Sequence, residues 1–312
     1  MASENLFTVA AIRKSPDGRV TEFVFNESQR IFELEPGAER VESAVDRVNK
    51  ALRSKRPLKV DFEPRSNRIR RISEPSESEA KEFLGRVSKL EKPERPRAVD
   101  LAKIDPNTFN IVEQHLKIPV FAFCLKVVPN YAKAKEIFDY CAKQSCALPG
   151  PYEVNPCIPF QYVIDGCYAR AHKMRWIITT KYKYCCEKVF SFANKGMDTL
   201  AVQATKWGGC CVTWWYHVAP LIRVKVGIGK FTFTKAMVID PGMFDQPVNL
   251  SVWLSAQEKT ACSPNAKVSM YSIQQGSAYS PANYAGTQFT TDDNYTATDA
   301  TLNAYKNLHT CA

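Results

Sequence analysis

All 11 cysteines lie between Cys124 and Cys311, so the first 123 residues must fold on apolar burial alone. The rest of the chain can be cross-linked, and an odd count allows five disulfides and one free thiol. Cysteine use of this density belongs to an oxidising compartment. The opening run, MASENLFTVAAIRKSPDG, has no basic stretch followed by an apolar one. The expectation is therefore a secreted protein whose signal peptide is not present in this chain. Removal of the signal is favoured over export by another route.

A length of 312 residues fits one large domain or two smaller ones. With 45% hydrophobic and 24% charged residues, the composition is globular and excludes a mainly disordered chain. The longest apolar run, 118–128, is broken by Lys126 and falls short of the roughly 20 residues of a membrane span. No repeat of a collagen, coiled-coil or solenoid kind is present. The net charge of +10 is spread along the chain and reads as a solvated surface. No RNP-like or C₂H₂ run accompanies it, so no nucleic-acid or membrane partner is expected.

Hydrophobic periodicity divides the chain. Residues 6–12 and 19–25 read as a hairpin around Ser15-Pro16-Asp17-Gly18. Residues 38–54 read as an amphipathic helix with Val41, Ala44, Val45, Val48 and Leu52 in one stripe. A strand at 58–62 and a helix at 79–90 complete a small, cysteine-free α+β unit. The run EKPERPR (91–97) suits an exposed, protease-sensitive linker, because Pro93 and Pro96 oppose helix. The boundary is expected within 91–126. Beyond it, helices are expected at 131–143 and 167–179. Strands are expected at 188–192, at 212–226 with a break near Pro220, and at 231–239. The larger unit is thus also α+β, with an antiparallel sheet following a helix. The polar last fifty residues read as a loop-rich shell with short strands.

The sharpest chemical feature is Asp165-Gly166-Cys167-Tyr168-Ala169-Arg170-Ala171-His172. It sets Cys167 at a helix N-terminus, where unpaired N–H groups stabilise a thiolate and could hold an oxyanion. A disulfide role for Cys167 is the simpler alternative on composition. A nucleophilic thiol needs a base, and that base needs an orienting acceptor. His172, five residues or about 1.4 turns on, should point away and hold structure. His217 lies in the strand-like VTWWYHV, and Asp240 ends the next strand. A hairpin around 227–230 would bring those two together. On pattern alone, His217 is more simply a satisfied core residue.

A longer set of residues resembles the bacterial protein-glutaminase (protein-glutamine deamidase) family. It comprises Cys157-Ile158-Pro159-Phe160, the run from Asp165 to Arg175, Cys186-Glu187-Lys188 and Cys210-Cys211-Val212. Trp215-Tyr216-His217-Val218-Ala219 and Ile239-Asp240-Pro241 belong to it as well. Val128-Pro129-Asn130 and Lys143-Gln144-Ser145-Cys146 look like the start of that family's mature enzyme. The resemblance covers about 127–262. It implies an α+β fold with a transglutaminase-like, papain-like cysteine hydrolase core and a small α+β N-terminal prodomain. It further implies an inhibitory prosegment at 1–92, a linker or processing region at 93–126 and a catalytic domain at 127–312. By position, Cys167 would be the nucleophile, His217 the general base and acid, and Asp240 the orienting carboxylate. The implied reaction converts protein-bound glutamine to glutamate through a Cys thioester, without metal or cofactor. The implied partners are proteins with accessible glutamine and an activating protease, and the chain is expected to be a monomer.

Cys124, Cys141, Cys185 and Cys311 depart from the family pattern, as does the length of 93–126. Their short separation suggests that Cys146 pairs with Cys157. Within Asn26-Glu27-Ser28-Gln29-Arg30, Gln29 could imitate a substrate in the cleft, although an exposed polar turn is the favoured reading. The competing activity is a transglutaminase, which passes the same thioester to a Lys amine. A papain-type peptidase lacks its C-G-[SA]-C-[WY] run here. Structural zinc is disfavoured, because adjacent pairs such as Cys185-Cys186 do not match the spacing of such sites.

Overall fold

The structure, a computed structural model, describes residues 6–15, 18–90, 97–100, 126–228 and 231–311. Pro16-Asp17, 91–96, most of the expected linker with Cys124 and His115, and the hairpin tip Gly229-Lys230 lie outside the described residues.

The N-terminal unit comprises β1 (Leu6–Phe7), β2 (Val9–Lys14), β3 (Thr21–Phe25), β4 (Ile31–Leu34), α1 (Val41–Ser54), β5 (Leu58–Phe62), β6 (Arg68–Ser73) and α2 (Glu77–Leu90). Its sheet runs β1-β5-β6-β4-β3-β2, with only the β4–β6 pair parallel. Alternation along β3 and β4 turns Phe23, Phe25 and Phe32 into a core closed by α1 through Ala44, Val48 and Ala51. Val41 and Leu52, at the margins of the expected stripe, are exposed. Phe7, Phe25, Phe32 and Phe62 interlock edge-on or tilted, and burial of each such ring contributes about 1.5–3 kcal/mol. The second helix begins at Glu77 rather than 79. Ser76 and Glu79 form a reciprocal cap: Ser76 Oγ accepts from the Glu79 N–H, and Glu79 Oε2 accepts from the Ser76 N–H.

The larger unit comprises β7 (Arg97–Asp100), α3 (Tyr131–Lys143), α4 (Cys167–Thr180), β8 (Glu187–Phe192), β9 (Leu200–Gln203), β10 (Cys211–Trp214), β11 (Tyr216–Ile228), β12 (Phe231–Val238), β13 (Val248–Asn249), α5 (Leu250–Ser255), β14 (Met270–Gln274), β15 (Ala278–Pro281), β16 (Phe289–Thr291) and α6 (Thr296–Tyr305). Its main sheet runs β13-β12-β11-β8-β14-β7, antiparallel throughout. Phe190, Phe192, Val218 and Ile222 share one apolar cluster with Ala169, Ala171, Met174 and Ile177 of α4. Val189, Ala219, Leu221 and Val238 join Trp253 in a second cluster. The period of two along β8 and β11 thus supplies both layers.

Four expectations need correction. First, β11 does not break at Pro220; the interruption is at Trp215. Pro220 O accepts from the Ile239 N–H just where pairing with β12 ends, so the missing proline N–H faces the end of the ladder. Second, Arg97–Asp100, within the expected linker, is an edge strand beside β14. Third, the polar C-terminal stretch contains a ten-residue helix, α6, besides its short strands. Fourth, the disulfides are Cys146–Cys157, as expected, with Cys210–Cys311 and Cys211–Cys262, and Cys185 is also disulfide-bonded. Cys141, Cys167 and Cys186 are free and buried, so the described residues contain three free thiols rather than one.

Candidate active site

Cys167 is the first residue of α4 and is fully buried. Gly166 before it adopts φ +77°, and a Cβ there would lie 2.8 Å from the Tyr305 ring. Both the left-handed backbone and the close approach require glycine. The Asp165 carboxylate accepts from the Gly166 N–H at 2.7 Å, and Arg170 grips the Asp165 carbonyl at 2.5 Å. The α4 helix packs on β11, and the Val218 N–H interacts with the Cys167 thiol. The nucleophile candidate therefore sits beside the strand residue that follows His217.

His217 and Asp240 are in direct contact, as expected from the β11–β12 pairing: His217 Nε2 to Asp240 Oδ2 is 2.8 Å. This bond leaves Nδ1 as the remaining ring nitrogen, and Nδ1 is buried without a hydrogen-bond partner. With the Nε2 proton directed at Asp240, Nδ1 has a free lone pair. Two residues that the sequence reading did not single out fix this ring. Trp214 stacks on it at 4.6 Å between centroids, and Trp253 at 5.4 Å. Trp253 Nε1 also donates to Asp240 Oδ2 at 2.9 Å. Burial alone would raise the Asp240 pKa, but the adjacent His217 and the His217 and Trp253 hydrogen bonds outweigh it and hold the pKa below its ordinary value.

Cys167 shows the opposite balance. Its helix-terminal position favours a thiolate, yet burial dominates and pushes the thiol pKa well up. The N-terminal unit adds to this burial. Gln29, whose favoured reading was an exposed turn, is fully buried against Cys167. Its Oε1 accepts from the Cys167 N–H at 3.0 Å, and its Nε2 donates to Val163 O at 3.1 Å. The flanking backbone is paired like a strand. Trp215 N–H donates to Gln29 O at 3.0 Å, and Trp215 Nε1 donates to Ser28 O at 2.7 Å. Asp165 accepts from Ser28 Oγ at 2.7 Å and from the Gln29 N–H at 3.4 Å. The polar groups of Ser28 and Gln29 each have a hydrogen-bond partner, which is why this polar pair can be buried here. Arg13 anchors the same unit farther away, donating to Asp198 O at 2.7 Å and Thr199 Oγ1 at 2.9 Å.

His172 has the structural role expected of it: its Nε2 contacts Asp292 O at 3.0 Å and its Nδ1 meets Lys188 Nζ at 2.6 Å. His309 is exposed, and His115 lies outside the described residues. Cys210 and Cys211 are engaged in disulfides.

A family model described as Glutaminase matches residues 134–257, a range that holds Cys167, His217 and Asp240. The NMR structure of protein-glutaminase from Chryseobacterium proteolyticum is 34% identical, with 60% of this chain and 92% of that one covered and a TM-score of 0.51. The chain belongs to the protein-glutaminase family. A crystal structure of pro-protein-glutaminase matches over 99% of this chain and 94% of its own, at 26% identity and a TM-score of 0.70. Family likeness to the pro form thus extends over nearly the whole chain, including the unit that carries Gln29. A search of curated proteins gave no match.

Proposed function

We propose that the chain is the latent form of a secreted enzyme that deamidates protein-bound glutamine. In this reading residues 1–92 are the inhibitory prosegment, 93–126 include the processing region and 127–312 are the catalytic domain, built like a transglutaminase or papain-type cysteine hydrolase. The observation that carries it is a glutamine carboxamide held on the Cys167 N–H, at the start of a helix packed on the strand that bears the Asp240-oriented His217. The likeness to a pro form over nearly the whole chain and to a shorter protein-glutaminase over 60% of it supports latency. Disulfides support an oxidising destination.

In the uncovered enzyme, His217 Nδ1 takes the Cys167 proton and the thiolate attacks the carboxamide carbon of a substrate glutamine. The Cys167 N–H, already on the carboxamide oxygen, stabilises the charge that develops there. His217 returns the proton to the departing ammonia and then activates water, which hydrolyses the thioester to glutamate. Asp240 holds the ring and balances the imidazolium. The partners are proteins with accessible glutamine and a protease that cuts near the linker.

The test is ammonia release from an unfolded, glutamine-rich protein before and after limited proteolysis, with Cys167→Ser as control. Release after cleavage, lost in the variant, is expected. No ammonia from the cleaved protein overturns the reading.

A further inference from the structure

We propose that Gln29 is a substrate as well as a plug: in the folded proenzyme Cys167 deamidates it in cis, leaving a glutamate side chain at position 29. This rests on the deamidase reading above. Four observations converge on it. The Gln29 carboxamide oxygen lies 3.0 Å from the Cys167 N–H, which polarises the carbonyl and would stabilise an oxyanion. The carboxamide nitrogen is held 3.1 Å from Val163 O, so the group to be expelled has a fixed position. The backbone on either side is pinned by Trp215 and Asp165, as a bound peptide would be. His217 Nδ1, the ring nitrogen not engaged by Asp240, is buried and has no hydrogen-bond partner, which leaves it able to take a proton. A segment that only blocked the cleft would not need a side chain with the reactive group of the substrate.

The reaction balances with water as its only co-reactant. The thiol proton passes to His217 Nδ1 as a bond forms between Cys167 Sγ and Gln29 Cδ. The Cδ–Nε2 bond breaks, and ammonia leaves with that proton. Water then adds to the thioester carbonyl, the S–C bond breaks, and the thiol is restored beside a new side-chain carboxyl group. The carboxamide of Gln29 and one water become that carboxyl group and one ammonia.

The product fits the site less well than the reactant. Nε2 donates to Val163 O, whereas a carboxylate oxygen in its place would face that carbonyl with no proton between them. Self-deamidation therefore weakens the grip of the prosegment, and the latent enzyme converts its own plug into a poorer one.

Peptide mass mapping of the intact, uncleaved chain tests this directly. The expected result is a gain of about 1 Da on the peptide carrying Gln29, rising to about 3 Da when the chain is made and refolded in oxygen-18 water. A loss of about 17 Da, joining that peptide to the Cys167 peptide, is the thioester and equally supports the proposal. Gln161 and Gln257, also buried in the same molecule, should be unchanged, and they serve as controls independent of any variant's folding. Conversion persisting in Cys167→Ser would mark spontaneous chemistry and overturn the proposal. Unaltered Gln29 in a chain that releases ammonia from added protein once cleaved would overturn self-deamidation and leave the enzyme reading standing. Unaltered Gln29 with no ammonia after cleavage would overturn both.

Discussion

The side-chain oxygen of Gln29 accepts a hydrogen bond at 3.0 Å from the main-chain N–H of Cys167. This contact joins a turn of the N-terminal sheet to the first residue of α4, across 138 positions of sequence. In the proposed mechanism it also connects latency with catalysis, because the N–H that holds Gln29 is the one that would stabilise the charge of the reaction. Replacing Gln29 with Ala removes this bond and the one to Val163 O, but leaves the backbone pairing with Trp215. Two neutral hydrogen bonds in a buried site contribute about 1–3 kcal/mol together, so the intact Gln29→Ala chain should show roughly 10-fold more residual ammonia-releasing activity than an intact chain whose Gln29 is still an amide. Unchanged residual activity in this variant would mean that the Gln29 side chain takes no part in inhibition.

The Cys167 thiol provides a measure of covering. In the intact chain burial holds its pKa well above the ordinary thiol value. Uncovering restores solvent and leaves the helix N-terminus and His217, both of which favour the thiolate. The sign is therefore fixed: the cleaved enzyme should react with iodoacetamide at neutral pH, whereas the intact chain should not. A rate difference on the order of 100-fold is expected at Cys167. Burial also raises the thiol pKa at Cys141 and at Cys186, the latter to about 12, so both should stay unlabelled before and after cleavage. Equal labelling of Cys167 in the two forms would contradict covering.

Trp253 bonds to Asp240 and also stacks on His217, and Trp253→Phe separates these roles by keeping a ring and losing the N–H. A hydrogen bond to a charged group contributes about 1.5–3 kcal/mol, so kcat of the cleaved enzyme should fall roughly 10- to 100-fold. The pH dependence has a definite sign. The Asp240 pKa is lowered in the folded protein, so its stabilising contribution is complete above the ordinary carboxylate pKa and is lost as pH falls through the lowered value. Without the Trp253 donor Asp240 titrates at higher pH, and both acid unfolding and the acid limb of the rate profile should move upward. A pH-rate profile beside an acid-unfolding series measures both. An unmoved acid limb would show that the Trp253 hydrogen bond has no part in holding Asp240 ionised.

The sequence made these elements legible to different degrees, for physical reasons. The bounds of α3, 131–143, could be read because Asn130 is a cap whose side chain accepts from the Lys133 N–H at 2.9 Å. The strand at 58–62 could be read because Leu58 and Val60 alternate with exposed Lys59 and Asp61. The helix α6 could not: TATDATLNAY has no apolar stripe, and only Thr298 and Leu302 are buried. Its start is set from outside by Asp292, which accepts from the Thr298 N–H at 2.7 Å and the Thr298 hydroxyl at 2.6 Å. The contact between His217 and Asp240 followed from strand pairing, a local rule. The stacking of Trp214 and Trp253 on His217, and the burial of Gln29, depend on packing between distant segments, to which periodicity is blind.

Cys210–Cys311 ties the chain's C-terminal end to the turn before β10, across a separation of 101 residues, whereas Cys146–Cys157 spans 11. Closing a longer loop removes more freedom from the unfolded chain, so the first bond should stabilise the protein more, by about 5 kcal/mol against about 3 kcal/mol on the loop-entropy account. Its surroundings also bear on the site: Thr310, beside Cys311, accepts from the Val163 N–H and donates to Gln161 O, both at 2.8 Å. Val163 is the residue whose carbonyl holds the Gln29 amide. Replacing both Cys210 and Cys311 with Ser should therefore lower the thermal midpoint and also raise KM for protein substrates in the cleaved enzyme, because the 161–163 segment loses its tether. The Cys146→Ser, Cys157→Ser pair should lower the midpoint less and leave KM unchanged. Thermal unfolding and steady-state ammonia release distinguish the two pairs, and equal effects on KM would show that the C-terminal tether does not position the carboxamide site.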